Sequence, residues 1–203
     1  GNVSYIDVAT REVERTVATG APGTVPRGIA VSPNHSRLYV ANAGTNAVAV
    51  IDRVAGTVIS AVPVGNGPFG LAITPNGATV VTANTTGNSV SFVSTATNTL
   101  LGTVPVGTQP YGVATSPDGL LAYVANFGSN SVSVIDVATR TVIDSIAVGL
   151  GPFGIAVKSD GSRLYVSDNQ NRVSVVDAVT RQSIGSIPVG SHPQGVALTP
   201  DDK

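Results

Sequence analysis

The strongest constraint on this chain is a repeat of about 42 residues that runs along its whole length. A motif of proline, any residue and glycine, followed by an aliphatic residue and alanine, begins at Pro26, Pro68, Pro110, Pro152 and Pro193. The intervals between these prolines are 42, 42, 42 and 41 residues. A tetrapeptide close to Tyr-Val-Ala-Asn keeps nearly the same interval, at residues 39–42, 81–84, 123–126 and 165–168. Self-similarity at a fixed period of this length indicates a repeat architecture, in which each unit packs on its neighbours.

Each repeat contains four short runs rich in β-branched residues. In the third complete motif these runs cover residues 112–116, 121–126, 131–137 and 141–148. They are separated by turn residues such as Asp-Gly, which predicts antiparallel hairpins. Four antiparallel strands in about 40 residues are typical of one blade of a β-propeller. The sequence therefore predicts an all-β protein, a β-propeller of four-stranded antiparallel blades, with residues 1–203 forming a single or partial propeller domain.

The repeat register also predicts how many blades the chain contains. The chain begins in the third strand of a blade, passes through four complete blades and ends after the first strand of another, which predicts 19 strands and just under five blades. Two arrangements remain open, a piece of a longer propeller and a self-closing ring of five blades. In the first, Val3, Tyr5, Val196 and Leu198 would lie at open blade edges, which predicts self-association through those edges.

Composition excludes several functional classes. Only 11% of the residues are charged, the net charge is −1 and no run of Lys or Arg occurs, so nucleic acid is not an expected partner. The absence of Cys excludes thiolate catalysis and Cys-ligated metal sites. No apolar run approaches the ~20 residues of a transmembrane helix, so no membrane span is expected.

These repeats together resemble a known family. The combination of Pro-x-Gly, an Asp-Gly turn, Tyr-Val-Ala-Asn, Asn-x-Val and Ile-Asp at fixed register is similar to the YVTN-type β-propeller repeat family, over nearly the whole chain. The resemblance implies a propeller of bacterial or archaeal cell surfaces or of the periplasm. Members usually have seven blades, and their ligands are mostly undefined. An extracellular, cell-surface or periplasmic location is the resulting expectation.

One further repeated pair lies in the turn between the third and fourth strands of a blade. An acidic residue is followed four residues later by Arg at Asp7 and Arg11, Asp136 and Arg140, and Asp177 and Arg181. Where the acid is replaced by Ser94, the fifth residue is Asn98. This spacing predicts an Asp side chain that caps backbone N–H groups, with the Arg side chain nearby.

A candidate ligand site lies where the innermost strands begin. The residue between Pro and Gly varies along the chain, as Arg27, Phe69, Tyr111, Phe153 and Gln194. Strand parity brings the loops after Tyr-Val-Ala-Asn to the same face, so the predicted site also includes His192, Asn42, Asn84, Asn126 and Asp168. Aromatic side chains at a channel mouth fit two interpretations, a stacking site for a ligand and a plug that fills the channel.

The leading functional hypothesis is a non-catalytic binding or interaction propeller whose partner is a protein, peptide or glycan. The chain has only two His residues, and neither a G-x-S-x-G nor an H-E-x-x-H motif, so we expect no catalytic residues, no metal and no cofactor. One alternative is a propeller enzyme of the lactonase or lyase type, with His192 and Asp168 in acid–base or metal-binding roles. Another is a purely structural repeat of a surface layer or adhesin.

Overall fold

The computed structural model describes residues 1–199 and 201–202 of the chain; the predicted domain also includes Pro200 and Lys203, which lie outside the described residues. In the described part, 18 β-strands are joined by turns, and one three-residue 3-10 turn covers Phe127–Ser129. No helix there is long and apolar enough to cross a membrane. The prediction of an all-β protein is confirmed.

The strands form five antiparallel sheets, which we number as blades 1 to 5 along the chain. Blade 1 has two strands, β1 (Asn2–Ile6) and β2 (Val13–Ala18). Blade 2 contains β3 (Pro26–Val31), β4 (Arg37–Asn42), β5 (Ala47–Asp52) and β6 (Thr57–Pro63). Blade 3 contains β7 (Pro68–Ile73), β8 (Thr79–Asn84), β9 (Ser89–Ser94) and β10 (Thr99–Pro105). Blade 4 contains β11 (Pro110–Thr115), β12 (Leu121–Asn126), β13 (Ser131–Asp136) and β14 (Thr141–Ala147). Blade 5 contains β15 (Ile155–Val157), β16 (Arg163–Asp168), β17 (Arg172–Asp177) and β18 (Gln182–Pro188).

The strand pairing repeats with the sequence. In each four-stranded blade, consecutive strands are neighbours. The residue that begins the Tyr-Val-Ala-Asn motif pairs with the same position of the third strand in every case: Tyr39 with Val50, Val81 with Phe92, Tyr123 with Val134, and Tyr165 with Val175. The repeats are therefore structurally equivalent, as their spacing predicted.

The hydrophobic core lies between blades. Successive side chains of a strand point to opposite faces of the sheet. In β4, Leu38 and Val40 accordingly pack toward blade 1, whereas Tyr39 and Ala41 pack toward blade 3. Because the middle strands have a neighbour on both faces, β5 is buried from Ala47 to Ile51. Four such cores join the five blades in order, and in the described residues none joins blade 5 to blade 1.

The predicted nineteenth strand is wrong for the described residues. Residues 193–199 form no strand, although the segment lies beside blade 5, where the Ser167 hydroxyl donates a hydrogen bond of 2.8 Å to the carbonyl oxygen of Gln194. The innermost strand of a blade forms its backbone hydrogen bonds with the second strand of the same blade. Among the described residues, no such second strand lies beside residues 193–199. The described residues therefore form four complete blades and one two-stranded sheet.

The positions of two predicted features also differ in detail. Strands β3, β7 and β11 begin at the proline rather than at the glycine two residues later, whereas β15 begins only at Ile155. Val3 and Tyr5 lie on β1, which pairs only with β2 among the described residues and so keeps an open backbone edge, but their side chains pack against the core between blades 1 and 2. Within the strands of the two terminal blades, the large apolar side chains that are exposed are Ile6, Val13, Ile184 and Ile187.

The turns between the third and fourth strands confirm the predicted Asp caps. Asp136 accepts a hydrogen bond of 2.7 Å from the Thr139 N–H, and Asp177 accepts one of 2.7 Å from the Thr180 N–H. These backbone hydrogen bonds, supported by those from the threonine hydroxyls, lower the pKa of both carboxyl groups.

For Arg181, the predicted proximity to the Asp of its own turn does not give an ion pair. Arg181 forms its ion pair with Asp144 of blade 4, at 3.5 Å, and not with Asp177 of its own turn. What the fifth residues of these turns share is a left-handed backbone, with φ of 56° at Arg140, 58° at Arg181 and 53° at Asn98. The fifth position is therefore selected by backbone conformation rather than by charge.

Candidate ligand site at the channel mouth

The innermost strands of neighbouring blades approach one another so closely that they require glycine. A Cβ atom on Gly70 would lie 2.1 Å from the carbonyl oxygen of Tyr111, and one on Gly112 would lie 2.3 Å from that of Phe153. Only a residue without a side chain permits such a backbone contact. The residues that directly precede these glycines are consequently brought together at the mouth of the channel.

Three of these residues form an aromatic cluster: Phe69, Tyr111 and Phe153. The rings of Tyr111 and Phe153 are stacked, with centroids 4.6 Å apart and an interplanar angle of 21°. Phe69 meets both edge-on, at 4.9 Å from Tyr111 and 5.7 Å from Phe153. The Arg27 guanidinium lies 5.6 Å from the centroid of the Phe69 ring. All three rings are partly buried, so part of their surface remains accessible.

A cavity of about 280 Å³ opens beside the cluster, between blades 4 and 5. Its lining residues are Tyr111, Phe127, Gly151, Phe153, Asn169, His192, Pro193 and Gln194. Four of the predicted site residues therefore meet here, Tyr111, Phe153, His192 and Gln194. Arg27 and Phe69 do not line this cavity: Phe69 belongs to the cluster, and Arg27 contacts the Phe69 ring.

Four lining residues, Phe127, Gly151, Asn169 and Pro193, were not among the site residues predicted from the sequence. Phe127 and Asn169 each follow a Tyr-Val-Ala-Asn motif, and Gly151 directly precedes the proline of a Pro-x-Gly motif. The signal that could have revealed Phe127 is variation at a fixed register, because the equivalent residues in blades 2 and 3 are Ala43 and Thr85. The ring of Phe127 meets Tyr111 edge-on, with centroids 5.7 Å apart.

Gly151 keeps the cavity open. A Cβ atom there would lie 2.9 Å from the Phe127 ring and 3.0 Å from the Cβ of Asn169. The backbone at Gly151 is left-handed, with a φ of 63°, yet the same register position holds Gln109 and His192 with φ of 51° and 53°. The backbone conformation at residue 151 therefore does not require glycine. The open space of the cavity does require it, because any side chain there would contact Phe127 and Asn169.

The polar side chains around the cavity are not used in the hydrogen bonding of the described residues. The side chains of Asn169, His192 and Gln194 and the hydroxyl of Tyr111 form no hydrogen bond with any residue that the structure describes. No Asp, Glu, Lys or Arg side chain lines the cavity. The cavity thus combines an aromatic wall with the amides of Asn169 and Gln194, the His192 imidazole and the Tyr111 hydroxyl, all of them free to bind a ligand.

A second repeated contact fixes the loops around the mouth. The Asn130 side chain accepts a hydrogen bond of 2.9 Å from the Gly151 N–H, and Asn171 accepts one of 3.3 Å from the His192 N–H. Asn46 and Asn88 make the same contact in blades 2 and 3. We call this contact the asparagine latch, because it ties the loop between the second and third strands to the loop that leads into the next blade.

The asparagines of the Tyr-Val-Ala-Asn motif lie inside the blades rather than at the mouth. Asn42, Asn84 and Asn126 are buried. The Asn126 amide donates hydrogen bonds to the hydroxyls of Ser131, at 3.2 Å, and Ser133, at 2.9 Å, and Asn84 contacts the equivalent serines of blade 3. Asn42 instead donates to the Thr19 carbonyl, at 2.9 Å. Their role in the structure is to tie two strands and a junction loop together.

In blade 5, Asp168 occupies the buried position of these asparagines and replaces their amide by a carboxylate. Its carboxylate accepts hydrogen bonds from the Ser174 hydroxyl at 2.9 Å, the Gln170 N–H at 3.0 Å and Arg172 Nε at 3.2 Å. Arg172 stands where blade 4 has Ser131, so the acid and its cation replace an asparagine and a serine together. Asp168 is fully buried, whereas His192 is exposed at the cavity.

Among the described residues no group of three or more side chains is arranged to hold a metal ion.

Comparisons with known proteins agree with the fold. A family model described as a YNCE-like beta-propeller matches residues 119–202. The solved structure of hydrazine synthase from Kuenenia stuttgartiensis is similar, with 31% sequence identity and a TM-score of 0.84. The similarity covers 92% of this chain and 55% of that one, so this chain spans about half of its length. No curated protein matches. The chain is a β-propeller, similar over residues 119–202 to YNCE-like propellers.

Proposed function

We propose that this chain is a non-catalytic binding propeller that takes its ligand at the channel mouth. The observation that carries the proposal is the cavity of about 280 Å³ between blades 4 and 5. A mouth filled only by a plug needs neither such a cavity nor polar groups without partners. Ligand sites are typically concave and largely apolar, with a few polar groups that orient the ligand.

Ring stacking and orientation supply complementary parts of the binding energy. Aromatic contacts contribute about 0.5–1.5 kcal/mol each beyond the burial of their area. Tyr111 and Phe153 are held in place by each other and by Phe69, so little side-chain entropy is lost when a ligand packs on them. The asparagine latches hold the loops that carry Gly151 and His192 in a similar way.

The proposed partner is a protein, peptide or glycan, and the proposed location is the cell surface, the extracellular space or the periplasm. The location rests on the resemblance to YVTN-type propellers, which also leaves the ligand open. Detection of the native protein in fractionated cells of its source would test it. Recovery in the cytoplasmic fraction alone would overturn the proposed location but not the binding site.

The binding site itself is tested with two truncations, Tyr111→Ala and Phe153→Ala. Arrays of immobilised glycans and of peptides are probed with the unaltered chain and with each variant. We expect the strongest signal to weaken about fivefold or more in each variant, which corresponds to ~1 kcal/mol per lost aromatic contact. Val54→Ala is the matched control, because Val54 is exposed in a turn on the opposite face. Normal binding by both truncations, or loss of the fold in both, would show that the cluster is a plug.

A further inference from the structure

The geometry points to a specific ligand class for this cavity: a single uncharged sugar ring at the end of a glycan. The inference rests on the proposed function and goes beyond it by choosing among the proposed partners. Four features of the cavity carry it: its size, its lack of charge, the chemistry of its free polar groups and its position outside any strand ladder.

The size of the cavity limits the ligand to one ring. Sites for whole drug-sized molecules enclose roughly 300–1,000 Å³. A volume of about 280 Å³ falls just below that range. The cavity is therefore suited to one six-membered ring with its substituents, while the rest of the ligand remains outside the mouth.

The lining offers little to a charged ligand. No Asp, Glu, Lys or Arg side chain is present to pair with a phosphate, carboxylate or ammonium group, and the one imidazole of the lining, that of His192, is exposed to water. An ion that leaves water without a partner is strongly penalised. An aromatic cage for a cation is also excluded, because Tyr111 and Phe153 turn their ring faces toward each other at 4.6 Å. An uncharged ligand remains.

The free polar groups match hydroxyl groups. A hydroxyl both donates and accepts hydrogen bonds, and a side-chain amide offers one donor group and one acceptor. Asn169 and Gln194 contribute two such amides, and Tyr111 contributes a hydroxyl next to an aromatic surface. A sugar ring presents the matching combination, with several hydroxyls at its edge and apolar C–H groups on its faces.

The same surroundings disfavour a peptide. An extended peptide is usually held by the backbone of an exposed strand edge. Of the cavity-lining residues only Tyr111 belongs to a strand, and the others lie in turns and junction loops. The cavity therefore offers side chains to a ring and no backbone ladder to a peptide.

This combination occurs in one sector of the mouth. In blade 3 the residue equivalent to Phe127 is Thr85, whose hydroxyl is buried and donates a hydrogen bond of 2.6 Å to the Pro110 carbonyl. Thr85 therefore provides neither a ring nor a free polar group. The equivalent sector of blade 3 is therefore not expected to bind a sugar.

The phenylalanines provide a direct assay. The chain has four, of which Phe69, Phe127 and Phe153 lie at the mouth, while Phe92 is fully buried in the core between blades 3 and 4. The chain is labelled with 13C in its phenylalanine rings and titrated with neutral oligosaccharides of glucose, mannose, galactose and N-acetylglucosamine. A parallel titration uses uncharged, end-blocked tetrapeptides. We expect an oligosaccharide to shift the signals of Phe127 and Phe153, with the Phe92 signal unchanged.

Two glycine substitutions provide a matched pair of variants. Gly151→Gln places a side chain against Phe127 and fills the cavity, whereas Gly67→Gln makes the same change at the equivalent position of blade 3. Both glycines have nearly the same backbone, with φ of 63° and 64°, and Gln109 already occupies this register in the chain. We expect Gly151→Gln to raise the apparent Kd for the oligosaccharide at least tenfold and Gly67→Gln to leave it within twofold.

The outcomes separate the inference from the proposed function. Shifts at Phe127 and Phe153 with tetrapeptides alone would overturn the sugar inference and leave the binding function in place. No shift at the mouth with either class of probe would overturn both. Oligosaccharide binding that Gly151→Gln leaves unchanged would place the sugar elsewhere and overturn the inference.

Discussion

Replacing Arg172 by serine should reveal how blade 5 carries a buried charge. Asp168 is fully buried, and its carboxylate is held by Arg172, Ser174 and the Gln170 N–H. Breaking a buried ion pair by removing one partner typically costs about 3–5 kcal/mol. Because the Arg172 side chain is 38% exposed and two hydrogen bonds to the carboxylate remain, we expect Arg172→Ser to lower the free energy of unfolding by about 2–3 kcal/mol.

The repeat itself supplies the compensating change. Asp168→Asn combined with Arg172→Ser recreates the arrangement of Asn126 with Ser131 and Ser133 in blade 4. The double variant buries no charge and restores the amide-to-hydroxyl contacts, so we expect its stability to lie within about 1 kcal/mol of the original chain. The two changes should then be coupled by ~2 kcal/mol or more, in the range of residues in direct contact.

Urea unfolding at pH 7, followed by circular dichroism, measures Arg172→Ser, Asp168→Asn and the double variant under one set of conditions. Lys158→Ser is a suitable control, because it removes the cation from the solvent-accessible ion pair between Lys158 and Asp160. It should cost much less than Arg172→Ser. If Arg172→Ser costs no more than this control, or if the two changes at Asp168 and Arg172 are additive, the buried ion pair does not stabilise blade 5 as argued here.

Three further predictions follow from the turns and the terminal blades. Ser94→Asp should raise the free energy of unfolding by about 0.5 kcal/mol, because an Asp side chain strengthens the turn cap. Adding Asn98→Arg should give no further gain, because position 98 needs a left-handed backbone and not a charge. Thermal unfolding of both variants tests this prediction, and a gain in stability only in the double variant would contradict it. The lowered pKa of Asp136 implies that its contribution to stability is complete above about pH 4 and is lost as the pH falls through its pKa in the folded protein. Between these pH values the stability of Asp136→Asn should therefore fall less steeply than that of the original chain. Equal slopes of stability against pH in the two proteins would refute the role of Asp136. Finally, Ile184 is 51% exposed on the outermost strand of blade 5. Ile184→Lys should therefore reduce any concentration-dependent self-association that analytical ultracentrifugation detects. Equal self-association of the variant and the original chain would show that this strand is not the contact surface.

The sequence predicts the architecture well because every blade repeats the same spacing. Strand register, the order of strands in a blade and the alternation of Leu38 and Tyr39 between two cores all follow from the period of two residues within a strand and 42 along the chain. The end of the chain is predicted less well. Whether residues 193–199 pair as a strand depends on a distant partner, which local pattern does not reveal.

The candidate site is predicted only in part. Position along a strand places a residue near the mouth, and this identifies Tyr111 and Phe153. It does not show whether a side chain at the end of a strand turns inward, as Asn126 does to reach two serines. Nor does it show that an absent side chain, at Gly151, creates the space beside Phe127.

The asparagine latch has a consequence for how such a protein can change during evolution. The donor in each latch is a backbone N–H, and at the same register this N–H belongs to Gly67, Gln109, Gly151 and His192. Any amino acid except proline supplies that donor, although glycine and asparagine adopt the left-handed backbone there most easily. Selection can therefore exchange the side chain nearest the cavity without breaking the joint between blades. A library that randomises these four positions should yield mostly folded proteins with altered binding specificity.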